Sequence, residues 1–227
     1  MIALPPSLTA RAEAPALAGA PALTRAASAL DASNRDASFG ALSGAAAAGP
    51  DRGRRAALGG LLGVAALAGC ASPEPSRYAA ERPLLDLKTY FDGDVDAWGL
   101  FQDRWGEVVR RFTVQMKGTW QGDTGVLDED FFYTDGTREK RVWTIRKLPG
   151  GQYTGTAADV VGEARGVAAG NALNWRYVLA LPIQGRVWHV DFDDWMYLVD
   201  ERVMLNRATM SKFGVRLGEV LLSFKRR

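Results

Sequence analysis

Residues 111–120, with the sequence RFTVQMKGTW, alternate strictly between polar and apolar positions. The apolar positions are Phe112, Val114, Met116, Gly118 and Trp120. A repeat of two is the period of a β-strand that buries one face and leaves the other in water. The segment therefore predicts a half-buried strand of an antiparallel sheet.

A second alternating run follows at residues 173–181, and turn signals separate it from its neighbours. Its apolar positions are Leu173, Trp175, Tyr177, Leu179 and Leu181. Short Gly, Asp, Asn or Pro clusters lie between the runs and are typical of hairpin turns. They occur at 121–123, 134–136, 149–151, 170–171 and 184–185. The strands are predicted near 97–105, 107–121, 125–134, 138–148, 152–167, 172–182, 186–199 and 203–224.

Consecutive strands joined by tight turns form an antiparallel meander. About eight such strands can close into a barrel, which leaves no exposed edge. We predict an all-β domain over residues 84–227, with a lipocalin-like β-barrel as the first choice and an open sandwich as the second. The last run is expected to split around residues 212–214. No segment after Glu81 shows a convincing helical period.

The single cysteine, Cys70, follows Leu67, Ala68 and Gly69 at the end of a short apolar stretch. Arginines precede that stretch, which is too short to span a bilayer. This order resembles the lipobox of bacterial lipoproteins, in which a peptidase cuts before a cysteine that carries a diacylglyceryl group. The resemblance implies that Cys70 anchors the protein to a membrane.

Residues 1–70 are interpreted as a leader and lipoprotein signal peptide, disordered at its start and removed by cleavage. They are rich in Ala and have no sustained apolar period. The pair Arg54 and Arg55 leaves export by the general or the twin-arginine route open. Residues 71–83 are predicted to be a tether. Ala71 follows Cys70 at the position where an aspartate suggests inner-membrane retention in bacterial lipoproteins, so the resemblance favours the outer membrane, with the domain facing the periplasm. The anchor is expected to hold the barrel mouth near acyl chains.

Residues 71–227 carry equal numbers of basic and acidic side chains. A balanced domain lacks the clustered positive charge that nucleic acid binding requires, so no nucleic acid partner is predicted. One cysteine cannot form an intramolecular disulfide, and we expect a monomer that depends on packing alone.

Candidate catalytic chemistry is confined to the only histidine, His189, and the nearby Asp191, Asp193 and Asp194. On a strand His189, Asp191 and Asp193 would share one face. One imidazole and a few carboxylates do not make the spaced ligand set of a zinc site, and no nucleophile elbow is present. We therefore predict no enzyme activity, no metal site and no cofactor. Asp193 and Asp194 are expected to face solvent or to pair with arginines such as Arg207.

The alternative to catalysis is ligand binding by the inward faces of the strands. Phe112, Met116, Trp120, Trp175 and Tyr177 are predicted to line the barrel, where a small hydrophobic ligand such as a lipid could bind. The alternative is that these rings simply fill the core. In that case the protein is a non-catalytic accessory that binds another envelope protein.

Several segments resemble a family of bacterial envelope lipoproteins, the domain-of-unknown-function 3833 family. They are 97–104 (AWGLFQDR), 159–162 (DVVG), 170–172 (GNA), 192–198 (FDDWMYL) and 206–207 (NR). The resemblance implies an envelope lipoprotein with a lipocalin-like β domain over almost all of the mature chain. It implies no particular activity or catalytic residues.

Overall fold

The computed structural model describes residues 73–183 and 185–227, which form ten antiparallel strands closed into one barrel. Each strand pairs with the next in the chain, and β1 pairs with β10 to close the barrel. The strands are β1 Gly93–Asp103, β2 Val108–Gln121, β3 Thr124–Tyr133, β4 Arg138–Lys147, β5 Gln152–Thr156, β6 Ala164–Ala169, β7 Ala172–Ile183, β8 Arg186–Leu198, β9 Val203–Lys212 and β10 Val215–Arg226. The predicted leader and lipidation motif, including Cys70, lie outside the described residues.

The all-β barrel is confirmed, but the strand number of about eight is wrong. The run at 152–167 is not one strand, because residues 157–163 belong to no strand and form only an isolated bridge to β7. The expected split of the last run is confirmed at the β9–β10 turn, where Phe213 and Gly214 have φ of 52° and 77°. A short 3₁₀ turn, Pro149–Gly151, joins β4 to β5.

Although no segment after Glu81 shows a convincing helical period, a five-residue helix, α1 (Leu87–Phe91), closes one end of the barrel. The Asp86 carboxylate caps it by accepting a hydrogen bond from the Thr89 amide at 2.9 Å. Tyr153 Oη and Lys147 Nζ also donate to Asp86, at 2.9 and 2.5 Å. These bonds fix the helix to β4 and β5, so this end, which we call the floor, is shut.

The chain reaches the barrel at the floor. A 3₁₀ turn, Pro75–Tyr78, lies within the segment predicted to be a tether. The Tyr78 ring packs on Trp195 and Tyr197, with ring centroids 5.9 and 5.4 Å apart. Leu85 then donates its amide to the Gly170 carbonyl in the β6–β7 turn. The described chain thus enters at the floor, whereas we expected the anchor to lie near the mouth.

Inward positions alternate with exposed ones along the strands. In β2, Phe112, Val114 and Met116 are buried while their chain neighbours are exposed. Alternation in β7 likewise places Leu173, Trp175 and Leu179 in the core, as predicted. Over residues 73–183 and 185–227, no helix is long and apolar enough to cross a bilayer.

Candidate functional site

The interior of the barrel contains a cavity of about 170 Å³. It extends from the floor toward the opposite end, the mouth, where the β1–β2, β3–β4 and β7–β8 turns lie. Four of the five predicted ligand contacts line it: Phe112, Met116, Trp175 and Tyr177. Trp120 is not among the lining residues. Its ring packs over Gly125 on the neighbouring strand, where a Cβ would lie 2.6 Å from two of the ring atoms.

The floor of the cavity is apolar. Leu87 and Phe91 of α1 close it from below, and Met116 and Leu127 contribute from the barrel wall. Helix α1 can approach β2 because position 118 is glycine. A Cβ there would lie 2.8 Å from the Phe91 carbonyl carbon and closer still to its oxygen.

Aromatic rings form the wall above the floor. Trp143 meets Trp175 and Tyr177 edge to face, with centroids 5.8 and 5.6 Å apart, and Tyr177 stacks on Phe192 at 4.9 Å. Trp175 lies against two residues without side chains, Gly155 and Gly166. Such packing holds the rings in fixed orientations around the cavity.

An ion pair inside the wall links β4 to the β5–β6 connection. Arg141 donates from Nε to both Asp159 oxygens, at 3.2 and 3.0 Å, and from Nη2 to Oδ2 at 2.6 Å. Residues 138–143 of β4 lie beyond the short β5 and pair only with β3. Asp159 fills this gap, since its carbonyl accepts the Ala180 amide of β7 at 2.8 Å.

Two buried acids face the same space. Burial raises the pKa of Glu129 to about 7, although the positive charge of Arg141 opposes the shift. Burial also raises the pKa of Asp194 to about 7, while a hydrogen bond donated by Asn206 favours its charged form. A carboxyl with such a pKa exchanges protons near neutral pH. The cavity is therefore amphipathic, with an apolar floor and an ionisable wall.

A third polar group lies near the mouth. The Arg110 guanidinium stacks over Tyr133, 3.5 Å from the ring centroid, and pairs with Asp135 at 2.9 Å. Tyr133 donates its hydroxyl hydrogen to Glu139 Oε2 at 2.8 Å. Charged side chains therefore frame the entrance to the cavity.

The face shared by His189, Asp191 and Asp193 is the outer face of β8, since the inward alternates Val190 and Phe192 are buried. Asp193 accepts a hydrogen bond from Asn174 at 2.6 Å and pairs with Arg176 at 3.4 Å. No group of three or more candidate metal ligands occurs in the described part of the chain.

The expected pairing of Asp194 with solvent or with Arg207 is wrong. Asp194 has the inward phase of β8 and contacts Asn206, whereas Arg207 points outward and pairs with Glu219. Sequence reasoning also missed Glu129 and Arg141. The alternation of the sequence could have identified both residues. Glu129 occupies an inward position of β3 between Leu127 and Phe131, and Arg141 occupies the inward position of β4 before Trp143.

Fold and site together define the class, a closed antiparallel β-barrel with an internal, partly ionisable cavity. The chain belongs to a family described as proteins of unknown function, DUF3833, which it matches over residues 64–226. The predicted family membership is thus confirmed. No curated protein matches the chain.

Two solved structures are similar to the chain at low identity. One is a protein of unknown function from the DUF3598 family of Nostoc punctiforme, with 12% identity and a TM-score of 0.45. The match covers 65% of this chain and about half, 51%, of the Nostoc protein. The other is a designed fluorescence-activating β-barrel, with 11% identity, a TM-score of 0.35 and coverage of 63% of this chain and all of the design.

Proposed function

We propose that this protein is an envelope lipoprotein whose barrel binds or shuttles one lipid or other small hydrophobic molecule. The observation that carries the proposal is the cavity lined by Phe112, Met116, Trp175 and Tyr177. Its volume of about 170 Å³ compares with about 150 Å³ for an engineered apolar cavity that binds benzene. The enclosed space suits one ring or a short alkyl segment, so a longer acyl chain would extend through the mouth.

The location follows from the N-terminal motif. We propose that acylated Cys70 anchors the protein in the outer membrane with the barrel in the periplasm. The mature domain would act as a monomer, and the balance of its charges argues against a nucleic acid partner. We propose that the role is binding and not catalysis: the only histidine, His189, is exposed on the outer face of β8, whereas Glu129 and Asp194 face the cavity.

The test is titration of the full chain with octan-1-ol, an uncharged ligand with a short chain, followed by calorimetry and tryptophan fluorescence. Trp143 and Trp175 line the cavity and should report occupancy. Ala208→Phe should abolish binding, because Ala208 is buried and lines the cavity. Leu205→Phe is the matched control on the exposed face of the same strand. Equal binding by both variants, or none by the parent, would contradict the proposal.

Exposed aromatic residues favour one second candidate, an accessory that binds another envelope protein. Trp105 and Phe213 lie in the β1–β2 and β9–β10 turns and are 67% and 90% exposed. Both turns lie at the mouth, where the two exposed rings offer apolar surface to a partner. If this candidate is correct, Trp105→Ser with Phe213→Ser should release a partner cross-linked in cells and leave octan-1-ol binding unchanged.

A further inference from the structure

The carboxyl groups of the cavity outnumber its cations. Both interior arginines are neutralised, Arg110 by Asp135 and Arg141 by Asp159. Among residues 73–183 and 185–227, no ion pair is found for Glu129, Glu139 or Asp194. The cavity thus holds more negative than positive groups, which disfavours an anionic ligand and favours a cation.

Glu129 has the most unusual environment of these acids. Its side chain is 7% exposed and lines the cavity from the middle of β3. No hydrogen bond to its carboxyl group is found within the described parts of the chain. A carboxylate has about four acceptor positions, and buried polar groups are nearly always hydrogen-bonded. A carboxyl group that faces a cavity and receives no hydrogen bond from the described residues points to a donor on the ligand.

The aromatic wall is compatible with the same kind of group. Tyr177 and Phe192 stack on one side, and Phe131 and Tyr133 stack on another with centroids 6.2 Å apart. Ring faces attract cations, more strongly where water is excluded. The floor beneath them is apolar and suits an alkyl chain or a ring.

We infer that the ligand is a cationic amphiphile, whose protonated amine donates hydrogen bonds to Glu129 beside Asp194 while its apolar part occupies the floor. This inference rests on the proposed function, since it names the class of molecule that the cavity binds. An uncharged hydroxyl compound would use the same acceptor with a weaker hydrogen bond.

Binding of the amine should depend on pH in a defined direction. The charged or titratable groups around Glu129 are Asp128 on its own strand, Arg141 on β4, Asp159 on the β5–β6 connection, Tyr177 on β7 and Asp194 on β8. Glu129 and Asp194 both have pKa values raised to about 7 by burial. An alkylamine has a pKa near that of lysine, about 10.4, and stays charged over this range. Its affinity should therefore rise between pH 6 and pH 8, as the two acids lose their protons.

The experiment compares octylamine, octan-1-ol and octanoate on the full chain by calorimetry at pH 6 and pH 8. At pH 8 octylamine should bind at least about tenfold more tightly than octan-1-ol, the difference that one charge-assisted hydrogen bond makes. Octanoate should bind most weakly. Glu129→Gln should remove the advantage of the amine over octan-1-ol, because the amide oxygen still accepts a hydrogen bond but carries no negative charge. Asp130→Asn, on the exposed face of the same strand, is the matched control.

Octanoate binding as tightly as octylamine, or an amine advantage that survives Glu129→Gln, would overturn the inference and leave the proposed function standing. Failure of all three compounds to bind would instead refute the proposed function. If Glu129→Gln does not fold, the ranking of the three compounds and its pH dependence in the parent chain still decide the question.

Discussion

The packing of Trp175 against Gly166 predicts that Gly166→Ala destabilises the protein when the tryptophan is present and stabilises it when the tryptophan is removed. The two residues are directly opposed across the β6–β7 pair. A Cβ at position 166 would lie 2.8 Å from Cζ3 of the indole and closer still to Cε3. Favourable carbon contacts need about 3.5–4.0 Å, and Gly155 and Trp143 hold the ring on its other sides. Gly166→Ala should therefore cost about 1–3 kcal/mol, the usual penalty of overpacking.

The same substitution should be stabilising once the ring is gone. Trp175→Ala removes a large buried ring and should itself cost about 3–5 kcal/mol. In that background the added methyl meets no indole, and replacing glycine within a strand gains roughly 0.5–1 kcal/mol. The two positions should thus show a coupling energy of roughly 2 kcal/mol or more.

The assay is urea unfolding of the four proteins, followed by circular dichroism so that the lost tryptophan does not alter the signal. Arg165→Ala, at an exposed neighbouring position, is the control and should be additive with Trp175→Ala. Trp175→Leu replaces Trp175→Ala if the latter does not fold. A Gly166→Ala effect of the same size and sign in both backgrounds would refute the reasoning.

Three further predictions concern the floor, the interior acid and the anchor. Gly118→Ala should destabilise the fold by about 3 kcal/mol in urea unfolding and weaken octan-1-ol binding, because the added methyl group would clash with the backbone of Phe91. The control is Thr119→Ala at the neighbouring exposed position, which should change stability by less than about 0.5 kcal/mol. Between the ordinary pKa of 4.5 and about 7, folded Glu129 keeps a proton that the unfolded chain releases, so stability falls as pH rises through that window. Glu129→Gln should reduce this fall in unfolding curves measured from pH 4.5 to 8, and an unchanged slope would contradict the assignment. Cys70→Ser should no longer incorporate labelled fatty acid, and retention of label would end the lipoprotein proposal.

Strict alternation made the barrel predictable, because a period of two fixes both the strand and its buried face. β2 follows it almost without exception, whereas β7 follows it only in part, because residues 172–175 are all buried. The apolar pair Val160 and Val161 misled the reading of 152–167, since it continues the apolar pattern although only Val160 forms an isolated bridge, to Leu179. Helix α1 was missed because five residues are too few to show a helical period.

The candidate site was only partly predictable. The inward aromatic residues could be predicted from the alternation along each strand. Glu129 and Asp194 could have been predicted in the same way, because they occupy positions that the alternation assigns to the buried face. The partner of Arg141 could not be deduced, because Asp159 comes from an irregular connection whose path depends on tertiary contacts. A void likewise depends on how side chains from many strands fill the interior, which no single strand encodes.

The entry of the chain at the floor has a directional consequence. Four residues separate Cys70 from the Pro75–Tyr78 turn, and the five Cα–Cα steps from Cys70 to Pro75 span at most about 18 Å. β2 alone, with 14 residues, runs roughly 45 Å along its length. An acyl group on Cys70 would therefore hold the floor of the barrel at the membrane surface, with the mouth facing away from the membrane. A molecule released from the mouth would then enter the aqueous space, and its next acceptor would lie across that space.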